Sequence, residues 1–235
     1  MALLHPDSRL CDAILHDTSL IPVVARFGIA LGLGEKSIAV VCQEHNIDVD
    51  FFVTILNTYI NENYFPEKRL QSFCVEHIID YLTKTNIYYS RFQLPNIERH
   101  FARLVDLSGD KDNNIGLVFK FFENVRNELQ ARIDSDENEW FPRLRAYAEV
   151  CSEPLQIGHI EELTEIDTVE EKLNDLLSLI VKHLTGHYDI NLCHAVIFAL
   201  TTLRNDIVQH NRIRNRILRP VAVRMNCDLP QSRML

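Results

Sequence analysis

INLCHAVIFALTTLRNDIVQHNRIRNRILRP, residues 190–220, decides the fold class. Leu192, Val196, Leu200, Leu203, Ile207, Ile213 and Ile217 recur at intervals of three and four with His210 on the same line, and Pro220 closes the run. That period is one face of a helix, and proline, with no N–H to donate, ends it. Working outward, Ile166, Val169, Leu173, Leu176, Leu177, Ile180 and Leu184 repeat the pattern and stop near Gly186. Val118, Phe121, Phe122, Val125, Leu129 and Ile133 give another such stripe. Leu70, Phe73, Cys74, His77, Ile78 and Tyr81 give a fourth, which continues past a kink expected at Leu94-Pro95. SGDKDNN, 108–114, reads as a loop. Four amphipathic helices with short connections predict an antiparallel four-helix bundle over 66–235.

Residues 1–65 read as a smaller domain of short helices. Ser37 is placed to cap a helix through about His45, and Asp48 to cap DVDFFVTILNTYI, with Asn46 making the turn between them. ARFGIALGLGEKS packs three glycines closely and reads as an irregular loop. Two short helices across a tight turn also suit a helix-turn-helix. However, Asp48 and Asp50 open the would-be recognition helix and would repel phosphate. The chain is therefore predicted to be all-α: a small N-terminal helical domain, 1–65, then the bundle.

Composition narrows the class further. Seven glycines and eight prolines in 235 residues are too few for the frequent turns of a sandwich or barrel. The charge of −9, from 24 basic and 33 acidic side chains, argues against bulk attraction to nucleic acid or anionic membranes. In MALLHPDSRL, Asp7 stands where a signal peptide needs its apolar stretch, and SLIPVVARFGIALGLG is cut by Arg26 before it could span a membrane. Cysteines 11, 42, 74, 151, 193 and 227 form no CxxC pair and read as reduced thiols. These features predict a cytoplasmic protein without membrane contact.

An internal echo links two of the helices. Arg132 and Asp136 stand four apart with Pro142 ten residues after Arg132; His210 and Arg214 stand four apart with Pro220 ten after His210. Charged residues on a core stripe are kept when paired, metal-bound or functional. Arg132 and Asp136 have salt-bridge spacing, which Arg214 could join. His183 and His187 also stand four apart, but Gly186 between them marks a helix end, where their charge suits the dipole. Arg212, Arg216 and Arg219 share a helix face without interleaved aromatics, the signature of a solvated face rather than a nucleic-acid contact.

Across nearly its whole length the chain resembles the hemerythrin-like iron–sulfur cluster repair proteins, regulators of cell morphogenesis and nitric oxide signalling. RFGIALGLGEKSIAVVCQEHNIDVDFF is similar to the N-terminal domain of that family. IIDYLTKTNIYYSRFQLPNIERH, LVDLSGDKD, NELQARIDSDENEWFPRL, IDTVEEKLNDLLSLIVKHL and NDIVQHNRIRNRILRP are similar to its di-iron bundle. The resemblance implies a cysteine pair in the N-terminal loop, where this chain has Gly32-Leu33, and five histidines with two glutamates around two irons. Those seven ligand positions fall on Asn86, Ser108, Arg132, Asp136, Ile166, His210 and Arg214. Two irons need roughly ten donor atoms, of which Asp136 and His210 offer about three. Arginine stays protonated and cannot ligate.

The resemblance thus implies a degenerate member with no metal and no cofactor, and with no catalytic residues. Glu170, one turn after Ile166, joins Arg132, Asp136, His210 and Arg214 in a predicted buried polar network. The expected function is a non-enzymatic regulator or interaction protein linked to nitric oxide, oxidative stress and transcription. It would act through a protein partner or as a homodimer, not by direct contact with nucleic acid. The alternative is a working di-iron protein for cluster repair or for nitric oxide or oxygen response, holding two iron ions with ligands such as His77, His100, His183 or His187.

Overall fold

The computed structural model describes residues 3–61, 63–66, 69, 73–108, 114–150 and 168–219. Among them the chain is helical and holds no strand; Arg9 and Ser37 form an isolated antiparallel bridge. Contacts divide it into two units. The first comprises Met1–Lys84, Tyr147–His159 and Ile213–Leu235, and the second Thr85–Ala146 and Ile160–Arg212.

In the first unit, α1 (Leu10–His16) and α2 (Leu20–Arg26) precede α3 (Ile38–His45) and α4 (Val49–Ile60). The expected caps are present. Ser37 Oγ accepts from the Val40 N–H, and Asp48 Oδ1 accepts from the Phe51 N–H at 2.7 Å. The carbonyls of Ser8 and Pro6 take the N–H groups of Ile38 and Ala39, each at 2.9 Å. The first turn of α3 thus has partners for donors that no helix satisfies internally. Asn46 turns the chain at φ 54°, a left-handed conformation its short amide tolerates, and Gly28 leaves α2 at φ 77°. Leu10, Leu20, Val23, Ile38, Phe52 and Leu56 are sealed from solvent. Phe27 meets Phe52 edge-on at 4.8 Å and stacks on Tyr81 at 5.4 Å. Asn57, also buried, accepts from the Leu4 N–H at 2.8 Å and donates to the Leu4 carbonyl at 3.0 Å.

Helix α5 (Val75–Tyr88) starts later than the periodicity implied: Leu70 lies outside the described residues, and Phe73 precedes the helix with its ring 5.3 Å from Phe51. At Leu94-Pro95 the helix widens instead of kinking. Tyr89–Gln93 form a π-helical turn, in which the Leu94 N–H donates to the Tyr89 carbonyl five residues back, and α6 (Leu94–Leu107) follows directly. The same device recurs. Helix α7 (Ile115–Ser135) passes through a π-turn at Asp136–Trp140 into α8 (Phe141–Val150), and α10 (Ile190–Ile213) ends in a π-turn at Arg214–Leu218. In all three the proline of the sequence stands two residues beyond the turn, at Pro95, Pro142 and Pro220. A proline crowds the carbonyl four residues before it and leaves it without a donor; an extra residue in the preceding turn relieves that crowding.

The core of the second unit draws on α6, α7, α9 (Thr168–His183) and α10. Ile97, Phe101, Ile115, Phe122, Leu129, Leu173, Leu176, Val196, Leu200 and Ile207 form one apolar cluster, at roughly 1.5–3 kcal/mol for each fully buried side chain. Phe101 and Phe122 stack at 5.2 Å. Polar bonds set the pairing of α7 with α9: Glu128 takes Thr168 Oγ1 and Lys172 Nζ at one end. At the other, Asn114 Nδ2 donates to the His183 carbonyl at 2.7 Å while its Oδ1 accepts from the Thr185 N–H at 3.0 Å. The two helices therefore run in opposite directions. No helix among the described residues is long and apolar enough to cross a membrane.

Candidate functional site

A polar layer interrupts the apolar stripes of the second unit. The last turns of α5 supply Asn86, then Tyr89 as the π-turn begins. The end of α7 supplies Arg132, and the following π-turn Asp136 and Glu137. The first turn of α9 brings Glu170, and the end of α10 His210 and Asn211. Asn86 and Asp136 are each 1% exposed and His210 is wholly buried, whereas Arg132, Glu137 and Glu170 are half-buried.

Two bonded sets are defined. Arg132 Nη1 donates to Asn211 Oδ1 at 3.1 Å, and Asn211 Nδ2 donates onward to Glu170 Oε2 at 3.4 Å. An amide thus relays between guanidinium and carboxylate, spanning three helices. In the second set Asn86 Nδ2 donates to Glu137 Oε1 at 2.9 Å. The Tyr89 ring lies 5.7 Å from the imidazole of His210, tilted at 55°. Asn86 Oδ1 is enclosed without a hydrogen-bond partner, a demand that a water or a ligand donor would meet.

Of the predicted network, Arg132 and Glu170 are brought together through Asn211, next in sequence to His210, and Asp136 is buried four residues after Arg132 at the head of its π-turn. Arg214 falls in the first unit's share of the chain, half-buried, with Nη1 donating to Asn215 Oδ1 at 3.1 Å. Ser108 is buried at the end of α6, where its hydroxyl bonds back to the Leu104 carbonyl. Ile166 lies outside the described residues. Among the alternative ligands, His183 is the exposed last residue of α9 and His187 is exposed beyond it. His77 lies exposed in the first unit, its ring 5.9 Å from Phe51, and His100 is half-buried on α6. On the arginine face, Arg216 departs from simple solvation: its guanidinium lies over the Phe65 ring at 4.5 Å.

Asn211, Glu137 and Tyr89 complete the layer and were not singled out from the sequence. Asn211 carried a usable signal, standing one turn after Ile207 on the core stripe. Glu137 carried none, because its inward reach depends on the widened turn that begins at Asp136.

Two irons do not suit this donor set. Asn86 offers one amide oxygen and no imidazole, and Arg132 brings a permanent positive charge, bonded to Asn211, and no donor atom for a metal. Among the described residues no three His, Cys, Asp or Glu side chains converge as a metal-holding group. The arrangement can hold charge and relay hydrogen bonds across helices, and its one imidazole is buried with its ring tilted against Tyr89. Burial pushes the Cys42 thiol up to about 11, with Asp48 adding to it, and raises the Cys193 thiol as well. No family model, no curated protein and no solved structure matches this chain.

Proposed function

We propose that this chain is a non-enzymatic regulatory or interaction protein built on a hemerythrin-like antiparallel four-helix bundle that has lost its di-iron site. Its role in nitric oxide and oxidative stress, through a protein partner or a second copy of itself, comes with the resemblance. The observation that supports the reading is the Arg132–Asn211–Glu170 relay: at a position that the resemblance assigns to a metal ligand, a guanidinium is bonded into a protein network. A cation at that level would meet the fixed like charge of Arg132. The opposite directions of α7 and α9, and the single apolar cluster fed by four helices, support the bundle.

The experiment is anaerobic iron loading of the purified full-length protein. Alongside it runs a variant with Asn86, Ser108, Arg132 and Ile166 changed to His, and Asp136 and Arg214 to Glu. The parent should retain no stoichiometric iron and show no oxygen-bridged di-iron absorption, and the variant should take up more. About two irons per parent chain would overturn the reading and establish the di-iron alternative.

A further inference from the structure

Two helices of the second unit carry charge on their outer sides that the polar layer does not use. From the π-turn into α6, Phe92, Asn96, Arg99 and Arg103 succeed one another at steps of four, three and four residues. They stand on the side turned away from buried Ile97, Phe101 and Leu104. Along α9, Glu171, Asp175, Ser178 and Lys182 repeat those steps, opposite buried Leu173, Leu176 and Ile180. Asn96 and Ser178 are half-buried and the other six are exposed. Among the described residues neither arginine and neither carboxylate holds an ion pair or a side-chain hydrogen bond. We propose that the α6 stripe of one copy of this chain docks antiparallel on the α9 stripe of a second copy.

The two stripes match in spacing and oppose in sign. Residues three and four apart share a helix face, so each stripe is a line of about 16 Å at 1.5 Å per residue. Run antiparallel, Arg103 meets Glu171, Arg99 meets Asp175 and Asn96 meets Ser178. Phe92 then faces Lys182, whose ammonium is attracted to the ring. Charges placed along a helix seam in this way set partner and orientation. The other two helices of the core offer no such set. Along its outward side α7 has Lys120, Asn124, Asn127 and Ala131, and α10 has His194, Phe198, Thr202 and Asn205.

The stripes belong to different helices, so the contact is heterologous, one face of each copy meeting a different face of the next. The net charge of −9 repels copies at a distance. At about 0.1 M salt that repulsion is screened beyond about 10 Å, whereas ion pairs at contact distance lie well inside that range. Exposed pairs are weak, so the expected Kd is on the order of 0.1–1 mM. The choice of a second copy as partner rests on the regulatory reading, but iron content tests that reading and association tests this contact, so either can fail alone.

Sedimentation equilibrium of the full-length protein at about 0.1 M salt is the test, over concentrations up to about 1 mM. The parent should self-associate. Arg99→Glu with Arg103→Glu should weaken association at least about tenfold, and Glu171→Arg with Asp175→Arg should do the same. Mixing the two variants, or placing all four changes in one chain, returns opposite charges to the seam and should recover association. Circular dichroism checks that each variant stays helical. The chain with four changes also carries every local effect of the substitutions, so its recovery reports the contact alone. A parent that stays monomeric, a reversal at either helix that leaves association unchanged, or a four-change chain that stays apart would each overturn the proposal.

Discussion

Asn57 in the first unit and His210 in the second are both shielded from water, yet their surroundings answer different needs. Asn57 bonds the two backbone groups of Leu4, an obligation the chain would carry with any sequence at that point. His210 belongs to a layer in which side chains bond side chains, Arg132 to Asn211 to Glu170, on helices whose backbones are already satisfied. Apolar residues of the same volume would fill that layer at no loss, and in comparable cases at a gain. The burial of Asn57 is therefore explained by folding alone. In the second unit the bonded side chains serve no backbone group, which is why the functional reading rests there.

The largest test of this contrast is Asp136→Ala. Emptying one position of the layer should strand buried charge and cost ~3–5 kcal/mol in denaturant unfolding. An unchanged midpoint would mean the layer is solvated and the comparison empty. The second test lies in the first unit, at Cys42. Its thiol ionises near 11 instead of 9.0, so the unfolded chain releases this proton first as pH rises. Native stability from this group is complete below pH 9 and is lost between pH 9 and 11, at ~1.4 kcal/mol per pH unit. Cys42→Ala should flatten that part of the curve of urea midpoint against pH. If parent and variant run parallel there, the site is more open than its burial implies. The smallest effect is Asn57→Ala, which leaves both Leu4 backbone groups short of a partner and should cost ~2 kcal/mol. Limited proteolysis should then cut ahead of α1; resistance equal to the parent would show that Asn57 does not hold that segment.

Local chemistry made the first unit readable from its residues. Ser37, Asn46 and Asp48 act within three or four positions of themselves, so their roles follow from type and order. In the second unit, periodicity placed Arg132, Asp136 and His210 on inward stripes, because a stripe is a property of one helix. Their bonding partners are not. Glu170 pairs with Asn211 across 41 positions and Asn86 with Glu137 across 51, and no regular spacing connects residues so far apart. The echo of a polar pair ahead of a proline was visible in two helices. Its meaning as a change of helix type was not, since a π-turn differs from an α-turn by one hydrogen-bond step that leaves composition unaltered.

Each of those turns also sets a phase. An α-helix advances about 100° per residue, so an added residue carries everything beyond it around the axis by that amount. Delete one residue from Tyr89–Gln93 and the regular repeat returns. Leu94, Ile97, Phe101 and Leu104, now lining the core, would then swing toward water with the rest of α6. A length that a surface loop varies freely is thus locked at Tyr89–Gln93, and a lineage descending from this chain should keep it to the residue even while the side chains around it change.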